Sequence, residues 1–261
     1  MTSAQVRRLG FATLKGTRHV ARDAVALASG GPVGDRAFCL VDPASGRVLR
    51  TVEHPSLIQV EATSDGGDLC LRMPDGREVV GRVEATDEAP LTADPVLIVD
   101  YWGRPARARL LAGPHAAALT AYLGRAVRLA ATEPGDVVWA GAVSVVTTGE
   151  LERLSERMLA GGVTPPPGLD ARFRATITLD AAQDPAPGTH LRVGSATIEV
   201  QRRIDRCAVV DIDPATGRRE VPVLAHLERH DGLLTFGVDA RVVQPGRVEV
   251  GDLATPENPP H

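Results

Sequence analysis

The stretch Leu57–Val83, LIQVEATSDGGDLCLRMPDGREVVGRV, decides the fold class. Three apolar-rich runs, Leu57–Ala62, Asp68–Met73 and Glu78–Val83, follow one another at a spacing of about ten residues, as strands of a small sheet do. Ser64-Asp65-Gly66-Gly67 and Pro74-Asp75-Gly76 separate them. Both are turn chemistry, with Gly free to take positive φ and Asp able to bond its own backbone. Asp68–Met73 alternates apolar and polar residues, the pattern of a strand buried on one face. Upstream, Arg36–Val41 (RAFCLV) is a further apolar-rich run, closed by Asp42-Pro43-Ala44-Ser45-Gly46. No helix of ordinary length is expected before residue 110. The first hundred residues therefore predict an antiparallel sheet curled into a barrel.

Beyond residue 110 the pattern mixes. Pro114–Leu123 reads as a helix between a leading Pro and Gly124, and Thr148–Leu159 as another, with Leu151, Leu154, Met158 and Leu159 at helical spacing before Gly161-Gly162. Ala126–Ala131, Ala142–Val146 and Phe173–Leu179 read as strands. Leu191–Val193 and Ala196–Gln201 form a hairpin about Gly194-Ser195, and Pro222–His230 reads as a short helix. Thr235–Val243 and Arg247–Val250 are closing strands. The expected division is 1–95, 96–252 and a loose tail, 253–261. The fold class is mainly β with a few helices, a β-barrel-like domain packed on a second β-barrel.

Composition excludes several functions. Hydrophobic residues make up 43% of the 261, enough for a core and too many for global disorder. A net charge of −4 argues against a general binder of phosphate backbones, and 3% aromatics against a base-stacking platform. No nucleic-acid partner is expected. No apolar stretch approaches the roughly 18 residues of a membrane span, and MTSAQVRRLG lacks the apolar region of a secretory signal. A cytoplasmic protein without membrane attachment is expected. Lys15 is the one lysine among 29 basic residues, so an anion pocket here is lined with guanidinium forks.

Cys39, Cys70 and Cys207 form no CxxC pair. Cys39 and Cys70 fall in apolar strand patterns and read as packing residues. Cys207 differs, since Arg202, Arg203 and Arg206 precede it closely and would favour the thiolate, the form that attacks or binds metal. A half-buried structural cysteine is the plainer alternative. Arg172-Phe173-Arg174, read as a strand start, places two guanidiniums on one face, a fit for phosphate or carboxylate. Gly34-Asp35-Arg36 reads as a tight turn with a local ion pair. His226 and His230, at i and i+4, lack a third metal ligand and read as an exposed helix face. No P-loop, GxSxG or GxGxxG occurs.

Taken together, four elements resemble the MOSC family, the molybdenum cofactor sulfurase C-terminal domain, preceded by its N-terminal β-barrel partner. Gly34-Asp35-Arg36-Ala37-Phe38 with Leu40-Val41-Asp42 resembles the partner's G-D-R-x-[WF]…V-D. Arg172-Phe173-Arg174 resembles R-F-R-P-N. Arg206-Cys207 with Asp213-Pro214-Ala215-Thr216-Gly217 resembles R-C…D-P-x-T-G, and Phe236-Gly237-Val238 through Val250-Gly251-Asp252 resembles the closing G-V-Y-A…G…V-G-D. The resemblance implies a pocket for the molybdenum cofactor (molybdopterin), with Cys207 as metal ligand and catalytic residue. Thr13, Lys15, Arg36, Arg172, Arg174 and Arg206 would surround its anionic groups. The family is also associated with pyridoxal phosphate proteins. Three departures stand out. Ala12 and Thr13 occupy the Lys and Ser of Y-P-[VI]-K-S, Ala175-Thr176 replaces Pro-Asn, and Gly149-Glu150-Leu151 replaces A-S-L. A carboxylate at 150 would repel a phosphate it faced.

Three functions follow from the resemblance. The first is an oxidoreductase reducing N-hydroxylated or N-oxide small molecules. Its electrons would come from a separate ferredoxin- or flavin-type protein, because three scattered cysteines cannot ligate an iron–sulfur cluster. The second is a sulfur carrier or sulfurtransferase with a Cys207 persulfide supplied by a cysteine desulfurase. The third is a non-catalytic binder of a small anion or a partner.

Overall fold

The computed structural model describes residues 3–65, 67–85 and 96–258. Seven strands close into a barrel in the order Val143–Thr147, Ile177–Asp180, Ala4–Phe11, Leu253–Glu257, His190–Val193, Ala196–Asp205 and Leu233–Gln244. The last pairs back on the first through Val143↔Ala240 and Val145↔Val238. Every neighbouring pair in this ring is antiparallel except Val143–Thr147 with Ile177–Asp180. A parallel pair needs a crossover, and the helix Thr148–Ala160 lies in it. Inward positions are aliphatic, among them Val6, Leu9, Val145, Ile177, Leu179, Leu191, Ile198 and Val238. Closure leaves these strands no free edge inside the ring.

A second lobe holds two of the three remaining sheets. One runs Leu97–Tyr101, Arg104–Ala112, Arg128–Thr132 and Phe38–Val41, with Glu84–Ala85 on the second of these strands. The other is the meander Glu61–Asp65, Asp68–Arg72 and Glu78–Arg82, as its turns predicted. Leu40, Leu57, Leu69, Leu71, Leu119 and Leu129 form the core between them, with the helix His115–Leu123 packed on it. The mainly β class with a few helices expected from the sequence is what the chain adopts, with one closed seven-stranded barrel. The expected division at 95/96 lies outside the described residues. On either side of it the lobes interleave: the first strand is a stave of the closed barrel, while strands as late as 128–132 pair with Phe38–Val41.

Four expectations are corrected. Pro55 starts a 3-10 turn, Pro55–Gln59, so the strand expected over 57–62 begins at Glu61. Phe173–Leu179 is not a continuous strand. A helical turn, Leu169–Arg172, caps at Phe173, Arg174 takes a left-handed conformation, and the strand starts at Ile177. The helix expected over 222–230 is a 3-10 turn, Val223–His226, followed by a strand, Glu228–His230. The tail is not loose through 257, because Leu253–Glu257 fills the gap between the first strand and His190–Val193, with Ala254 buried. Residues 259–261 of that tail lie outside the described residues.

Candidate functional site

Where the two lobes meet, backbone pairing brings residues 12–15 against 35–38. Arg36 N–H donates to the Ala12 carbonyl (2.7 Å), Lys15 N–H to the Phe38 carbonyl (2.8 Å), and Phe38 N–H to the Thr13 carbonyl (3.2 Å). The Asp35 carboxylate accepts from Ala12 N–H (2.9 Å) and pairs with Arg36, so the ion pair expected of Gly34-Asp35-Arg36 forms, in a buried setting. This zipper aims Lys15 and Arg36 into a cavity of about 200 Å³. Thr13 does not reach it: the residue is buried and is not among the lining residues.

The opposite wall comes from the barrel. Ala196–Asp205 delivers Arg206 and Cys207 at its end, just before the 3-10 turn Ala208–Asp211. Cys207 is exposed, whereas Cys39 is buried and its thiol is pushed up to about 12 by desolvation. The packing role expected for Cys39 fits that environment. Of the three arginines before Cys207, Arg206 alone lines the cavity. Arg202 pairs with Asp239 (3.2 Å) and Arg203 is exposed. Arg206 is held by Nε donating to the Phe236 carbonyl (2.8 Å) and Nη1 to the Phe173 carbonyl (3.0 Å). Its Nη2 is buried without a hydrogen-bond partner. Gly237 makes room beside it, since a Cβ there would stand 2.6 Å from the Val145 carbonyl and 3.1 Å from that same nitrogen.

Arg172 and Arg174 both line the cavity, although not from one strand face. Arg172 is buried and committed: Nη2 donates to Asp213 (2.7 Å) and Nη1 to the Asp211 carbonyl (3.3 Å). It therefore braces the Asp213–Gly217 turn, whose Asp213 also caps Ala215 and Thr216 N–H. Arg174 donates to the Thr17 carbonyl (2.8 Å). Desolvation and then Arg36 push its guanidinium down to about 9. Desolvation, with Arg36 and Arg174 close by, holds the Lys15 amine well below its ordinary range. Lys15 Nζ donates to the Tyr101 hydroxyl (2.7 Å). Behind the cavity, burial and Arg174 keep His19 well below the usual imidazole range. The lining thus collects Lys15, Arg36, Arg50, Arg172, Arg174 and Arg206 against one carboxylate, Asp205.

Backbone strain marks the same place. Among the described residues, the non-glycine residues at positive φ are Arg36, Trp102, Arg174 and Asp231, and the first three line this cavity. A left-handed conformation costs an L-residue about 1–2 kcal/mol, and such residues gather at functional sites.

Other sequence readings resolve on this geometry. Glu150 lies outside the cavity lining and pairs with Arg153 (2.7 Å), so it faces no phosphate there. Thr176, standing at the family's Asn position, does line it and bonds Ser144 through its N–H (3.0 Å). His226 and His230 share no helix, and His230 lies 3.3 Å from Glu228. Among the described residues no group of three or more His, Cys, Asp or Glu could hold a metal ion by itself. Tyr101, Trp102, Trp139 and Arg50 were missed. The available signal was the scarcity of aromatics and the Trp102-Gly103 turn pair after an apolar run.

The MOSC domain matches residues 128–255, and the MOSC N-terminal beta barrel domain matches residues 3–108. Among solved structures, YUAD protein from Bacillus subtilis aligns over 97% of this chain and 94% of its own, at 13% identity and a TM-score of 0.45. YiiM from Geobacillus stearothermophilus aligns over 45% of this chain and 54% of its own, at 17% identity and a TM-score of 0.32. No curated protein matches the chain.

Proposed function

The chain belongs to the MOSC family, with the family's N-terminal β-barrel domain, and on that footing we propose that its inter-lobe cavity holds the molybdenum cofactor and reduces N-hydroxylated or N-oxide small molecules. The observation that carries the reading is an exposed thiol sharing one cavity with six basic side chains, of which Arg36, Arg50 and Arg172 are paired to carboxylates. The residues fit the group chemically. A thiolate is a soft ligand suited to a transition metal. The cavity offers one such donor, and among the described residues no cluster of three or more metal-ligating side chains occurs, so the remaining ligands would come with the cofactor. Arg174, desolvated and with Arg36 close by, gains from an anion such as the cofactor's phosphate. The unpartnered Nη2 of Arg206 is a further donor for an anionic group.

In this reading Cys207 holds the metal, Lys15, Arg36, Arg174 and Arg206 hold anionic groups, and Arg172 positions the Asp213–Gly217 turn. Bound there, the cofactor supplies a two-electron redox centre. The overall reaction breaks one N–O bond: R–NHOH takes up two electrons and two protons and leaves as R–NH2 and water. The electrons come from a separate ferredoxin- or flavin-type protein. The test is turnover of a hydroxamic acid by protein made in a cofactor-producing host, with reduced methyl viologen as donor. Cys207→Ala abolishes turnover while its unfolding transition stays cooperative; retained turnover in that variant would sink the proposal.

A second reading rests on the exposure of Cys207, which a partner enzyme could reach. As a sulfurtransferase, the protein would carry a persulfide on Cys207 after incubation with a cysteine desulfurase and free cysteine. Mass spectrometry would then find a dithiothreitol-labile gain of about 32 Da, one sulfur atom, on that residue.

A further inference from the structure

The mouth of the cavity holds side chains that the cofactor reading does not use. The chain has two Trp, two Tyr and four Phe, and Tyr101, Trp102, Trp139 and Phe173 all line this one cavity. Both tryptophans stay partly open to solvent, at 38% and 43%. Their ring centroids stand 5.2 Å apart with planes tilted by 59°, and the Arg50 guanidinium lies 4.2 Å over the Trp102 ring.

Trp102 is placed there against its own backbone preference. Trp102-Gly103 is the two-residue turn between Leu97–Tyr101 and Arg104–Ala112, with φ of 58° and 77°. A hairpin turn with both central residues at positive φ favours Asn-Gly or Gly-Gly, and a bulky residue at its first position is an outlier. The turn is anchored without the indole, because Gly103 N–H donates to Asp100 Oδ1 (2.6 Å). Trp139 arrives from the segment 133–142, pinned by Arg104 Nη2 on the Val138 carbonyl (2.8 Å) and by Gly141 N–H on Asp239 (3.1 Å). Two elements therefore converge to present one aromatic surface at the cavity mouth.

Resting on the reductase reading above, we infer that the substrate carries a flat aromatic ring, held against the Trp102–Trp139 pair in the cavity that also contains Cys207. An aromatic ring gains offset or edge-to-face contacts with the two indoles that an aliphatic group does not. Arg50, stacked on Trp102, stiffens that wall.

The two tryptophans are the only ones in the chain, so tryptophan fluorescence reports on this mouth alone. The experiment titrates cofactor-loaded protein with benzohydroxamic acid and, in parallel, acetohydroxamic acid, which keeps the N–OH group and lacks the ring. Saturable quenching by the aromatic ligand is expected, at a Kd at least tenfold below that of the aliphatic one. Trp139→Ala and Trp102→Asn each leave one reporter. Each should weaken the aromatic ligand tenfold or more and leave the aliphatic ligand unchanged. Trp102→Asn should also raise the unfolding temperature, because Asn suits the turn; a fall would mark a packing residue and contradict the inference. Equal Kd values for the two hydroxamates, or values unmoved by both variants, would overturn it. Failure of the reductase reading looks different: aromatic-selective quenching without turnover would sink that reading and leave the aromatic site standing.

Discussion

Leu191, Ile198 and Val238 stand inside the closed barrel among other aliphatic side chains, shielded from water. Some strands away, Lys15, Arg36 and Arg174 crowd a cavity whose charges oppose one another. The barrel buries apolar area, each such side chain contributing about 1.5–3 kcal/mol. The cavity gathers desolvated cations and three left-handed non-glycine residues, all of them unfavourable to the empty fold. Stability is built in the barrel and spent in the cavity, and Gly237 sits on the border between them. At φ 72° it lies between Phe236, packed with the cavity's Phe173, and Val238 of the barrel interior.

Substitutions can break this contrast. Leu191→Ala, in the barrel, should lower unfolding free energy by about 2–5 kcal/mol, the range for a buried Leu, when measured by urea titration. A loss under about 1 kcal/mol would mean the barrel interior is not the stabilising core. Arg174→Asn should behave in the opposite way. Asn tolerates the left-handed conformation and removes a desolvated charge, so stability should stay within about 1 kcal/mol of the parent. The same variant should lose the rise in unfolding temperature that pyrophosphate gives the cofactor-free parent, a rise equivalent to about 2.7 kcal/mol at a hundredfold excess over Kd. A strongly destabilised Arg174→Asn that still responds to pyrophosphate would make Arg174 a structural residue.

Five of the seven barrel strands and the meander were legible, in whole or part, because apolar runs, period-two alternation and Gly/Asp turns are local signals, as at Asp68–Met73. Ala4–Phe11 was not legible as a strand, and Leu253–Glu257 read as a loose tail. The crossing of segments between lobes was not legible either, because which strand pairs with Ala4–Phe11 depends on long-range closure that no window of sequence carries. Arg36, Arg206 and Cys207 could be named from motif elements, whereas Lys15 stands beside a motif whose Lys position Ala12 occupies. Arg172 could be named too, but its commitment to Asp213 could not, since the two lie far apart in the chain. Phe173–Leu179 misled because Arg174 takes a conformation that an arginine rarely adopts, so a strand pattern was read through a helical turn. Trp102 escaped for a related reason: the turn it occupies ordinarily announces itself with Asn or Gly.

Asp184 sharpens the border with a smaller effect. Its carboxyl accepts from Thr147 Oγ1 (2.9 Å) at the end of a barrel strand, and burial pushes it up to about 6. The folded state therefore holds this proton more tightly than the unfolded chain does. That contribution to stability is present at low pH and is lost as pH rises through about 6. Asp184→Asn should gain on the parent by about 1 kcal/mol between pH 5 and pH 8. A gain that is constant across that range, or that falls, would contradict the burial argument.

The central claim is that Cys207 and the cations around it form a molybdenum cofactor site. Its most direct test is the molybdenum and pterin content of protein purified from a cofactor-producing host, beside Cys207→Ala. Near-stoichiometric molybdenum in the parent and background metal in the variant is the result expected here. Background metal in both, or equal metal in both, would contradict it.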